Sequence, residues 1–201
     1  KKKEIHNWKF QEMQKKYCFT HVVPPARHYH RMPDQHDIRP TIYYCNPNIY
    51  PLEEYNIRKN ECSRYAQSLG LDIIDADYNH EAWRCTVQGL EGEPERGGRC
   101  LQCFKMRLLD TADMLTKMDF SVITTTLASS RWKSLEQINQ AGRYAVENYP
   151  DVIWWDQNWR KGGLSERRIA IIKEYGFYNQ QYCGCEFSMR KEESPLSITS
   201  R

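Results

Sequence analysis

Apolar residues along this chain alternate between short dense runs and longer stretches where they recur every three to four positions. Residues 17–23 and 38–45 are rich in β-branched and aromatic side chains, end at proline or asparagine, and predict strands. Pro51 followed by Leu52, Tyr55, Ile57, Tyr65 and Leu69 predicts a helix opened by proline and stopped at Gly70. Leu71-Asp72-Ile73-Ile74 predicts a further strand, which makes the unit β-α-β. Residues 80–90 predict a short helix, and residues 91–98 a glycine- and charge-rich loop expected to be flexible. From Cys100 the spacing of Phe104, Leu108, Ala112 and Leu115 gives a helical stripe, followed by a strand over 120–125. Helices predicted over 134–148 and 165–175 bracket Val152-Ile153-Trp154-Trp155, which reads as a strand or a buried loop. Strands alternating with helices predict an α/β fold: a mainly parallel sheet with flanking helices, whose ligands gather at the carboxyl ends of strands.

A chain of 201 residues suits one domain with a respectable core. Hydrophobic residues at 40% and charged residues at 27% describe a folded chain, not a disordered one. The formal charge of +3 is mild, so a nucleic acid would be held by a local basic patch and not by the field of the whole molecule. No apolar run approaches the ~18 residues of a membrane span. Lys1-Lys2-Lys3 is followed by no hydrophobic signal core, so the expected location is cytoplasmic, with no membrane partner. Against that setting the cysteines stand out: Cys18, Cys45, Cys62, Cys85, Cys100, Cys103, Cys183 and Cys185. In a reducing compartment, close pairs of thiols point to metal or redox chemistry more often than to structural bridges.

Two motifs concentrate that chemistry. In Arg99-Cys100-Leu101-Gln102-Cys103, thiols three apart share one helical face and can reach one metal centre. Their place at a helix N-terminus favours the thiolate form. Tyr182-Cys183-Gly184-Cys185 can close a small strained disulfide, with Gly184 supplying the backbone freedom, and an accessible strained bridge is easily reduced. The same two cysteines can instead complete a zinc site with Cys100 and Cys103, and the residues alone leave these readings even. Asn46, Asn48 and Tyr50 follow a strand and precede a helix, a common ligand-binding position, although two prolines and two asparagines also make a rigid turn. Thr124 and Thr125 end another strand, where hydroxyls can bond a nucleoside or phosphate or serve as ordinary strand residues. Arg160, Lys161, Arg167 and Arg168 form a basic cluster downstream of Trp154, Trp155 and Trp159, a combination suited to phosphate contact and base stacking, although some of those tryptophans read more readily as core.

Taken in order, these pieces resemble the QueH-type epoxyqueuosine reductases. The match is carried by Tyr44-Cys45-Asn46-Pro47-Asn48-Ile49-Tyr50-Pro51 with Glu54-Tyr55 and Arg58, and by Arg99-Cys100-Leu101-Gln102-Cys103 with Arg107-Leu108 and Thr111-Ala112. It continues through Thr124-Thr125-Thr126-Leu127 with Ser130, Lys161-Gly162-Gly163, and Tyr178-Asn179-Gln180-Gln181-Tyr182-Cys183-Gly184-Cys185. The resemblance runs from about Tyr43 to Ser188; it is specific in order and spacing more than in any one motif. It implies a Rossmann-like fold related to adenine-nucleotide hydrolases, as one domain over 1–201, with an extension at 1–16 and a tail at 189–201. It further implies reduction of the epoxide of tRNA-bound epoxyqueuosine to the alkene of queuosine, without cobalamin and with an external electron donor. Cys100 and Cys103 would ligate a 4Fe-4S cluster, with an adjacent iron ion, and Cys183 and Cys185 would be a redox-active disulfide. Asn46, Asn48, Tyr50, Thr124, Thr125, Arg167 and Arg168 would meet the RNA substrate.

One departure bears on the cluster. Members of this family usually carry Cys-Cys-x-x-Cys directly after the first strand, where this chain reads His21-Val22-Val23-Pro24-Pro25-Ala26. Cys18 lies five extended residues away from Val23, at ~3.3 Å each, too far to substitute. Cys45, at the end of the second strand, is the better additional ligand. Replaced cysteines, a sequence from which they are missing, and a natural member with altered chemistry all remain open; a real replacement predicts a defective cluster and little reductase activity. A different class of function, a non-catalytic RNA-binding module with Cys100, Cys103, Cys183 and Cys185 around structural zinc, also fits the spacing. A phosphate-activating nucleotide enzyme ranks last, because the chain shows no serine- and glycine-rich phosphate loop.

Overall fold

The structure, a computed structural model, describes residues 17–20, 40–118 and 120–189. The stretch from His21 to Ala26, and the parts of the first two predicted strands over 21–23 and 38–39, lie outside the described residues. Among the described residues are five strands, β1 (Tyr17–Thr20), β2 (Pro40–Tyr44), β3 (Ile73–Asp75), β4 (Val122–Thr125) and β5 (Ile153–Trp154), with helices in each connection from β2 onward. They form one sheet in the order β3-β2-β1-β4-β5. Every neighbouring pair is parallel, with Tyr17 opposite both Pro40 and Val122. The expected α/β class is present, and the ambiguous segment at 152–155 supplies the edge strand β5.

Among the described residues five α-helices accompany the sheet: α1 (Leu52–Ser68), α2 (His80–Thr86), α3 (Gly98–Thr116), α4 (Leu135–Val146) and α5 (Leu164–Tyr175). Pro51 precedes α1 with a φ of −72°, close to the angle its ring imposes, and Glu53 and Glu54 place negative charge in the first turn. Ser134 caps α4, its side chain accepting from the Gln137 N–H at 3.3 Å. Gly176 ends α5 at a φ of +60°, in the left-handed region that glycine enters without steric cost.

All five residues of β2 and all four of β4 are buried, the pattern of central strands covered on both faces. Ile42, Tyr44 and Ile123 from the sheet meet Leu108 and Ala112 of α3 and Ile138 and Ala141 of α4 in one core. Gly142 on α4 lies so close to the Trp154 ring that an added Cβ would overlap it. A parallel sheet brings the loops after β2, β4 and β5 to one edge, and the chemistry-bearing residues sit there. Among the described residues no helix is long and apolar enough to cross a membrane.

The loop over 91–98 is pinned at several points. The Gly98 N–H donates to Glu93 Oε2 at 2.5 Å, and Arg99 Nη1 donates to the Glu91 carbonyl at 2.5 Å. Gln137 Nε2 donates to the Arg96 and Gly97 carbonyls, while Arg96 reaches the Arg131 and Trp132 carbonyls. The composition suggested flexibility because glycine and charge commonly mark loose loops; here the charges are spent on holding the loop to its neighbours.

Candidate active site

The N-terminus of α3 presents Cys100 and Cys103 one turn apart. Cys103 is buried and Cys100 partly so, with Cys100 Sγ accepting from the Arg96 N–H at 3.3 Å. Burial pushes the Cys100 thiol above its ordinary pKa. Both line a small cavity of about 20 Å³ that Cys183 and Cys185 also line, so four cysteines from two distant segments border one space. Asn48, Trp83 and Arg99 are also part of its wall. Each contributes a buried polar atom without a hydrogen-bond partner: Asn48 Oδ1, Trp83 Nε1 and Arg99 Nε. Unpaired buried polar atoms are costly, so three around one sulfur-lined cavity mark a place prepared for something polar. Among the described residues no three His, Cys, Asp or Glu side chains converge tightly enough to hold a metal ion.

The Cys183-Gly184-Cys185 loop is fixed from below by a buried arginine. Arg58, fully buried on α1, donates to the Cys183 and Tyr182 carbonyls at 3.2 Å each. Its Nε donates to Glu54 Oε1 at 2.7 Å, and Glu54 Oε2 accepts from the Tyr178 hydroxyl at 2.8 Å. The Tyr50 N–H donates to the Gly184 carbonyl at 2.9 Å, and Ile49 forms an antiparallel bridge with Cys185. Gly184 adopts a φ of +105°, and a Cβ there would stand 2.7 Å from Arg58 Nη1. Both cysteines are present as free thiols.

The two thiols occupy different environments. Cys183 is half-buried, and Lys133 Nζ lies 2.5 Å from its sulfur. Burial opposes its ionisation, but the Lys133 ammonium outweighs that and holds the thiol below its ordinary pKa. Burial likewise works against charge on Lys133, and the Cys183 thiolate outweighs it, so the lysine pKa is raised. Cys185 is buried without a cation so close, and burial pushes its thiol up to about 12.

Above Cys183 opens a cleft of about 490 Å³. One wall is the turn after β4, with Thr126, Ser129 and Ser130; the other is the loop 178–183, with Asn179 and Gln181. Trp132, 62% exposed, stands at this cleft under the Arg131 guanidinium, which lies 4.8 Å from its ring centroid. Arg168 lines the cleft with a buried Nε that has no partner. Lys133 and Cys183 line both the cleft and the sulfur cavity, and so form the partition between them.

The residues singled out from sequence are distributed unevenly around this site. Asn48 lines the sulfur cavity and Arg168 the cleft, whereas Arg167 is exposed outside it. Asn46 is buried, its Oδ1 accepting from Arg107 Nη2 at 2.7 Å. Tyr50 is 43% exposed and stacks on His80, 5.3 Å between ring centroids. Thr124 and Thr125 are buried; Thr125 Oγ1 accepts from the Leu127 N–H and its carbonyl from Trp159 Nε1. The next residue, Thr126, is the one that reaches the cleft. Cys45 is buried with its thiol bonded to Asp110, burial holding its pKa well up, and it does not line the cavity. Trp159 belongs to the core and Trp154 packs against it, bonding Asn139 through Nε1 at 3.3 Å. Sequence reasoning missed Trp132 and Lys133, and gave Arg58 no role; the Arg131-Trp132-Lys133 run in the connection between β4 and α4 was the available signal.

Comparison with known proteins gives the family. The profile of the family described as epoxyqueuosine reductase QueH matches residues 23–191. The chain belongs to the QueH family. Epoxyqueuosine reductase QueH of Haemophilus influenzae is 52% identical over 161 residues, covering 80% of this chain and 66% of that protein. Its counterpart in Histophilus somni is 51% identical over 150 residues, 75% of this chain and 62% of the relative. That of Acinetobacter baylyi is 45% identical over 150 residues, 75% and 69% respectively. The alignments with the first two span just under two-thirds of those relatives' length.

Proposed function

We propose that this protein reduces the epoxide of epoxyqueuosine in tRNA to the alkene of queuosine, using Cys183 and Cys185 as the redox couple. The observation that carries the reading is the partition: Cys183 faces a cleft large enough for a nucleoside on one side and a cavity shared with Cys100, Cys103 and Cys185 on the other. Removing the epoxide oxygen as water consumes two electrons and two protons. Oxidising two thiols to one disulfide releases the same number, so the pair balances the reaction and an external donor then restores the dithiol. Membership of the family and the activity for which its relatives are named support the assignment.

Of the residues around the sulfur cavity, Cys100 and Cys103 supply two of the four thiolates that the 4Fe-4S cluster implied by the family resemblance would need, and no further ligand converges with them among the described residues. Cys100 and Cys103 would hold it, and the unpaired Trp83 Nε1 and Arg99 Nε suit the negative sulfur of such a group. When bound, the cluster supplies electrons singly. Cys45, bonded to Asp110, is a further ligand only if its side chain turns, and an adjacent iron ion would need ligands beyond those gathered here. Since His21 to Ala26 offers no thiol, turnover is expected to be slow. We further read the chain as one domain with the Rossmann-like fold of adenine-nucleotide hydrolases, supported by the strand order β3-β2-β1-β4-β5 and the loops gathered at its carboxyl edge. Cobalamin independence and a cytoplasmic location go with the same reading.

In the cleft, Trp132 offers a face for the base, Arg168 a cation for phosphate, and Asn179 and Gln181 hydrogen bonds for a polar substituent. The test is anaerobic incubation of tRNA carrying epoxyqueuosine with excess iron- and sulfide-reconstituted protein and dithionite, followed by mass analysis of the digested nucleosides. Loss of one oxygen from the modified nucleoside is expected; an unchanged nucleoside contradicts the assignment. Metal analysis separates the alternative, since one zinc and no visible absorbance would indicate the RNA-binding module.

A further inference from the structure

We propose that Lys133 is a positioning residue that makes Cys183 the outer, reactive sulfur of the pair and leaves Cys185 as its inner partner. The inference rests on the reductase reading above and adds an order to its two sulfurs. Three geometric facts carry it. Lys133 Nζ is 2.5 Å from Cys183 Sγ, a contact between residues 50 positions apart in sequence. Lys133 and Cys183 are the residues common to the cleft and the sulfur cavity, whereas Cys185 lines the cavity alone. Cys185 is held inward by the bridge to Ile49, and the Cys183 backbone is clamped by Arg58, so the two sulfurs cannot exchange places without breaking these bonds.

Other ionisable groups bear on Cys183 from each neighbouring element. Glu95, from the loop before α3, opposes the thiolate, whereas the backbone N–H of Cys185 favours it. Cys100 and Cys103, on α3, lie close enough to interact with Lys133. Arg58, on α1, spends its charge on the loop carbonyls and Glu54. Lys133 is therefore the cation at the Cys183 sulfur itself, and charge pairing of this kind favours thiolate over thiol. In the net reaction the two C–O bonds of the epoxide break and the alkene forms. The oxygen leaves as water with the two thiol protons, and the two electrons come from the sulfurs as their S–S bond forms.

The experiment is brief alkylation of the phosphine-reduced, full-length protein with iodoacetamide from about pH 6 to about pH 9, with each cysteine quantified by peptide mass analysis. At neutral pH Cys183 is expected to label about tenfold or more faster than Cys185, the factor that one pKa unit supplies. Lys133→Met should slow Cys183 about tenfold and move its labelling midpoint to higher pH, and Lys133→Arg should restore most of the rate. Faster labelling of Cys185 in the parent protein, or an unchanged Cys183 profile in Lys133→Met, overturns the proposal. Should Lys133→Met fail to fold, the parent's own order of labelling and the Lys133→Arg profile still decide. Labelling requires no tRNA, so a failed epoxide assay with this order intact removes the reductase reading and leaves the Lys133–Cys183 pairing standing.

Discussion

At the scale of single residues, the site depends on groups whose bonds cannot be rearranged cheaply. Cys100 and Cys103 are expected to supply thiolates to iron, so alanine at either position should abolish iron-sulfur absorbance in reconstituted protein; unchanged iron content in both variants would remove that role. Gly184→Ala combines a left-handed backbone angle with a close approach to Arg58 Nη1. It should cost about 1–3 kcal/mol, read as a lower melting temperature by circular dichroism, because both the dihedral and the Arg58 clamp must give. The motif Cys183-Gly184-Cys185 and its glycine were legible in sequence, since spacing alone shows that only a flexible residue can sit between such thiols. Arg58 and Lys133 were not legible as partners of that loop. Their bonds to it span 125 and 50 positions respectively, and nothing local distinguishes either cation from an ordinary surface charge.

At the scale of elements, helical periodicity was the reliable signal. The stripe Phe104, Leu108, Ala112 and Leu115 predicted α3, and the structure buries all four. The loop 91–98 was misjudged because composition reports which residues are present and not which carbonyls their side chains find; Gln137 on α4 anchors it from 40 and 41 positions away. The tryptophans of the stretch 152–159 read partly as a stacking surface and partly as core, and Trp154 is on the core side, as the packing partner of Gly142. Gly142→Ala should therefore separate α4 from β5 and destabilise the fold by about 1–3 kcal/mol, the usual cost of overpacking. A thermal melt unchanged from the parent would show that this contact is looser than the structure implies.

At the scale of the whole molecule, a net charge of +3 cannot by itself hold an RNA, so affinity must come from a local patch. Arg168 at the cleft and exposed Arg167 beside it are the basis of the expected phosphate contacts. Replacing both with alanine should weaken tRNA binding and reduce the slope of log affinity against log salt by roughly 0.7–0.9 per lost contact. Equal affinities for parent and variant at low and moderate salt would place the RNA elsewhere. The parallel sheet and its ligand-bearing edge were foreseeable from alternating strands and helices, but the meeting of residues 100–103 with 183–185 was not, because no periodicity links segments 80 residues apart. That meeting is the basis of the central claim, a division of labour in which Cys100 and Cys103 hold metal while Cys183 and Cys185 carry electrons. The most direct test is the double variant Cys183→Ser and Cys185→Ser, reconstituted with iron and sulfide and assayed on tRNA carrying epoxyqueuosine, with conversion expressed per mole of bound iron. The account predicts parental iron content with conversion reduced to background; loss of the iron, or conversion at the parental rate, would contradict it.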